Sequence, residues 1–113
     1  MKESEKQKFE SLVKVAMESL STFDRIDKFD MNLDGNEDLK KLSISELREM
    51  WNSAERAYDR ASGYLAEFVA QFKEDLDFDE YQKEYVSTYE SEDMKQLYED
   101  VMVDACETVK YYY

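Results

Sequence analysis

At 113 residues the chain can enclose one hydrophobic core near the lower end of the common domain range, and it carries 28 acids against 15 bases for a net charge of −13. With no proline and only two glycines, Gly35 and Gly63, it lacks the turn residues that a sheet protein needs about every 8–12 positions; the prediction is all-α, a compact bundle of four to five helices in a single helical domain over residues 1–113. The absence of histidine removes Ser–His and Cys–His nucleophilic pairs, the usual zinc sites and the Glu-x-x-His di-iron arrangement, no glycine-rich phosphate loop exists, and a non-catalytic binding protein is expected.

Residues 4–29 place Phe9, Leu12, Val13, Ala16, Leu20, Phe23, Ile26 and Phe29 at spacings of three and four, one face of a long amphipathic helix. Residues 30–42 break that period with Asn32, Asp34, Gly35 and Asn36 and read as a loop. Ser43 opens the next helix, with Glu46 three positions on in capping-box spacing. The apolar face there runs Leu47, Met50, Trp51, Ala54 and Ala57 or Tyr58. Gly63 either separates this helix from the stripe Tyr64, Leu65, Phe68, Val69 and Phe72 or bends one continuous helix. A turn is expected near residues 73–77. Tyr81, Tyr85 and Tyr89 then recur at intervals of four on a further helix. Ser91 is placed to cap the last one, whose stripe is Met94, Leu97, Tyr98, Val101, Ala105 and Val109, ending in Tyr111, Tyr112 and Tyr113. Cys106, beside that stripe, reads as a buried small hydrophobe.

No apolar run approaches the roughly 18 residues of a membrane span, and the charged start MKESEKQKFESL lacks the apolar stretch of a signal peptide. A lone cysteine forms no internal disulfide. Together these features point to a cytoplasmic protein with no membrane contact, of open oligomeric state.

The charge is unevenly spread. Residues 1–60 hold 14 acids against 11 bases, and residues 61–113 hold 14 against 4. Within residues 74–107 there are 13 acids, and Lys83 and Lys95 are the only bases. Such a field repels nucleic-acid phosphates and attracts basic surfaces or cations; charge of this sign also keeps small proteins soluble. The candidate partner-binding residues are Asp77, Asp79, Glu80, Glu84, Glu90, Glu92 and Asp93, interleaved with Tyr81 and Tyr85. The tyrosines have two readings, an edge packed on the core or a contact surface, since tyrosine suits interfaces. The expected partner is a basic, nucleic-acid-binding protein whose groove the acidic face would occupy, with no direct contact to nucleic acid. In charge and size the chain resembles phage and mobile-element inhibitors of restriction or CRISPR nucleases. A structural subunit of a larger assembly is a further alternative.

One motif implies another class. FDMNLDGN, from Phe29 to Asn36, sets side-chain oxygens at alternate positions, Asp30, Asn32 and Asp34, before Gly35. It resembles the first half of an EF-hand calcium loop, with Ile26 and Phe29 where the incoming helix of that family is apolar. The second half departs from the pattern, since Lys41 stands where the family has its bidentate glutamate. Treating EDLKK (37–41) as an insertion brings Leu42 to the apolar loop position and Glu46 to the glutamate position. LDFDEY (76–81) looks like the end of a partner loop with Leu76 and Glu80 in those roles, although QFKED before it has neither the oxygens nor the glycine. The resemblance implies a calcium-modulated regulator with Asp30, Asn32, Asp34 and Glu46 as ligands; in the alternative, these are ordinary turn residues and Glu46 caps its own helix.

Overall fold

The computed structural model describes residues 1–29 and 35–113. Among them lie five helices and no strand: α1 (Glu3–Asp27), α2 (Glu37–Lys40), α3 (Ile44–Phe72), α4 (Leu76–Ser87) and α5 (Glu92–Tyr112). The three-four spacing of α1 buries Phe9, Val13, Ala16, Met17 and Ile26 on one face. That face lies against α3, which runs antiparallel to it. Phe9 stacks on Phe68 at 5.7 Å near one end, and Phe23 meets Trp51 at 5.3 Å near the other. The Trp51 indole N–H donates to Asp27 at 3.3 Å.

Ser43 starts α3 with a full capping box: the Glu46 amide donates to the Ser43 hydroxyl, and the Ser43 amide donates to the Glu46 carboxylate, both at 3.1 Å. α3 then continues unbroken through Gly63, so the two apolar stripes on either side of that glycine belong to one helix. A mid-helix glycine costs about 1 kcal/mol, a small term beside the burial of Ala61, Leu65, Ala66, Phe68 and Val69 around it. At 1.5 Å per residue α3 is about 44 Å long, which accounts for the 47 Å long axis of the molecule.

α5 runs parallel to α3. The Tyr58 hydroxyl donates to Asp104, and Tyr113 borders Glu67, Ala70 and Gln71. Its stripe buries Tyr98, Val101, Met102, Ala105 and Val109 against α1 and α3. α4 is the short member, antiparallel to α5, and it lies along the first half of α1. Phe78, 1 % exposed, anchors it by meeting Phe9 at 5.1 Å, Phe68 at 5.8 Å and Phe72 at 5.8 Å. Large rings hold α4 on the bundle.

Four details differ from the sequence-based expectations. Within residues 30–42, Glu37–Lys40 form a helical turn that buries Leu39. The turn after α3 is confined to residues 73–75, because Asp75 accepts from the Asp77 amide at 2.9 Å and the Phe78 amide at 3.3 Å and so starts α4 at Leu76. Tyr89 lies just beyond α4, which ends at Ser87. Cys106 is exposed rather than buried, since its neighbour Ala105 takes the inward position; partial desolvation still holds its thiol above the usual range. Among the described residues no helix is long and apolar enough to cross a membrane.

Candidate functional site

The inward positions of α4 are Phe78, Tyr81, Gln82, Tyr85 and Val86, at helical spacing, which leaves Asp77, Asp79, Glu80 and Glu84 exposed. Asp77 and Asp79 sit in the first turn, where the helix dipole favours negative charge. Exposed acids continue through Glu90 in the α4–α5 link and through Glu92 and Asp93 in the first turn of α5, which Ser91 caps by accepting from the Met94 amide. The seven candidate carboxylates thus line the outward side of α4 and its junction with α5. Among the described residues, two of them form ion pairs: Asp77 with the terminal amine at 3.9 Å and Glu92 with Lys95 at 3.6 Å. Both carboxylates are largely exposed, so the pairs are worth little.

Tyr81 and Tyr85 are half-buried, and their rings form the floor under the acids. Tyr85 is the hub, with ring centroids 5.8 Å from Phe9, 6.2 Å from Tyr81, 5.4 Å from Tyr89 and 5.8 Å from Tyr98. The hydroxyls find partners as well. Tyr81 donates to Glu10, Tyr89 donates to Tyr85 at 2.9 Å, and Tyr98 donates to Gln82 at 3.2 Å. Burial pushes the pKa of Tyr58, Tyr81, Tyr85 and Tyr98 well above the ordinary tyrosine value. The carboxylates that Tyr58 and Tyr81 bond, Asp104 and Glu10, raise those two further. These phenols stay neutral at any physiological pH, and the aromatic layer presents the acids from a fixed base.

The structure adds residues that the sequence reading left out. Glu10 and Glu18 on α1 border a groove of about 880 Å³ that runs from Gln7 to Thr22, with Tyr85, Tyr89 and Met94 on its other wall. On the α3–α5 side, Asp59, Asp104 and Glu107 surround Tyr58, Tyr111 and Tyr112. The Tyr58–Asp104 bond spans 46 positions and leaves no local signal.

For the calcium motif, Asp30, Asn32 and Asp34 lie outside the described residues. Gly35 has a positive φ of 92°, the left-handed backbone that a tight loop asks of glycine. Glu46 is exposed, and its carboxylate accepts from the Ser43 backbone and side chain, which lowers its pKa. Leu76–Tyr81, the segment resembling a partner loop, is the opening of α4, with Leu76 77 % exposed and Glu80 directed outward. Among the described residues no three acid or cysteine side chains are grouped to hold a metal ion. Comparison with protein-family models, with characterised proteins and with solved structures finds no match to this chain.

Proposed function

We propose that the chain is a non-catalytic acidic binding protein that engages, and thereby inhibits, a basic nucleic-acid-binding protein through the outward face of α4 and its junction with α5. The observation that carries this reading is the row of largely unpaired carboxylates on an immobilised aromatic layer. Unpaired acids give a long-range field that attracts a basic groove and repels nucleic acid. Fixing them on a packed helix lowers the entropy lost when a partner arrests them. Occupying a nucleic-acid groove would block it, in the manner of the phage-type inhibitors of restriction or CRISPR nucleases that the chain resembles in charge and size.

The test is capture from the organism that makes the chain, using wild type, an Asp79→Lys/Glu80→Lys/Glu84→Lys triple variant, and a control triple on α3, Glu49→Lys/Glu55→Lys/Glu67→Lys. Proteins retained by wild type and control but lost by the α4 triple should be basic and should bind nucleic acid. Retention by all three, or a set of acidic proteins, would end the proposal.

A calcium-responsive regulator is a second reading. Its support is the left-handed Gly35 following the Asp-x-Asn-x-Asp sequence, with Ser43 and Glu46 three positions apart as late loop positions of that family would be. Against it stands the engagement of the Glu46 carboxylate by its own helix terminus.

A further inference from the structure

The four main helices are unequal. At 1.5 Å per residue α1 extends about 38 Å and α4 about 18 Å, so α4 covers roughly half of the α1 surface it lies along. The groove begins beside α4 and continues past its end. The α1 wall is the helical stripe of Gln7, Glu10, Ser11, Lys14, Glu18, Ser21 and Thr22. The floor and opposite wall are Met17, Tyr85, Tyr89 and Met94. From Gln7 to Thr22 the wall measures about 22 Å, four turns of helix.

Three properties select an occupant. The floor is apolar and adaptable: Met94 is 41 % exposed, while Met17 is buried with its sulfur 3.4 Å from the Tyr89 hydroxyl oxygen. The Tyr85 and Tyr89 hydroxyls, 2.9 Å apart, set a polar pair beside that floor. The charge balance is negative: Glu10 and Glu18 line the groove against Lys14, the single base among the lining residues, and the exposed Glu90, Glu92 and Asp93 adjoin Tyr89 and Met94 in the chain. A second copy of the chain, at net charge −13, would meet like charge here.

We propose that this groove receives a basic amphipathic helix of the partner protein, its apolar stripe on Met17, Tyr85, Tyr89 and Met94 and its lysines or arginines against Glu10, Glu18 and the acids of the α4–α5 junction. The proposal rests on the acidic protein-binding reading and adds the element that docks. Helix in groove supplies apolar contact area at the centre, and the charges at the rim set polarity and partner choice.

The probe is a fluorescein-labelled helical peptide of about 15 residues, with leucines at three-four spacing and lysines elsewhere, followed by anisotropy with the full chain. Met94→Gln removes apolar surface, and Thr22→Arg narrows the groove and opposes the lysines; both sites are exposed, and circular dichroism checks the fold. Each substitution should weaken binding by roughly tenfold, and the same peptide with glutamates for lysines should not bind. If both groove variants bind like wild type while the Asp79/Glu80/Glu84 triple reversal does not, the groove proposal fails and the acidic face stands. If no variant alters binding, or the glutamate peptide binds equally, both fail. Concentration-dependent self-association that the peptide reverses would instead assign the groove to a second copy.

Discussion

Phe78→Ala tests the link between the packing of α4 and the acidic face. Phe78 is almost completely buried, and its ring lies within 6 Å of three others, Phe9, Phe68 and Phe72. Truncating such a ring removes its transfer free energy and leaves a cavity that these large neighbours fill poorly, for a cost of about 3–5 kcal/mol. The lost aromatic contacts, about 0.5–1.5 kcal/mol each, fall partly within that range because all three share one ring. Against a total stability of about 5–15 kcal/mol for a domain, the variant should fold with a small margin. Its melting temperature should fall by on the order of 20 °C, with Phe78→Leu losing under about 1.5 kcal/mol. Urea unfolding followed by circular dichroism measures both. Since α4 is held by rings, Phe78→Ala should also weaken partner binding without changing any charge. A loss below about 1 kcal/mol would refute the claim that this residue anchors the helix.

Other expectations follow from the same contacts. Tyr58, Tyr81, Tyr85 and Tyr98 have their pKa raised on folding, so the stability they contribute is present below the unfolded tyrosine value of about 10 and is lost as pH rises above it. Tyrosinate absorbance and loss of helix should therefore rise together in alkaline titration; ionisation of all nine tyrosines with the helix signal intact would contradict the packing. Ser43→Ala removes the α3 cap and should cost about 1 kcal/mol in thermal or chemical unfolding, and no loss would show the capping box to be idle. Calcium at about 1 mM, a level that fills even weak sites of this kind, should leave Trp51 emission and melting temperature unchanged; a shift abolished by Asp34→Ala would favour the regulator reading.

Helix positions were legible wherever the apolar period was strong, as in α1 and α5, and where a cap stood at the right spacing, as at Ser43 and Ser91. Gly63 left the sequence ambiguous because a lone glycine weakens a helix without ending it, and the buried residues on both sides decide the outcome. Cys106 was misjudged since a single step along a helix turns a side chain by about 100°, enough to move it from the Ala105 side to the exposed one. At the site, the acids of α4 and the α4–α5 junction were visible as a run. Their relation to α1 was not: Glu10 accepts the Tyr81 hydroxyl across 71 positions and borders the groove. Contacts between distant helices leave no periodic signature.

The most direct test of the central claim is competition on the captured basic partner, with a fluorescent nucleic acid bound to it and the chain titrated in. The acidic face should displace the nucleic acid to completion, less effectively as salt rises, and the Asp79→Lys/Glu80→Lys/Glu84→Lys variant should fail to displace it. A ternary complex in which the nucleic acid stays bound at unchanged affinity would contradict the account.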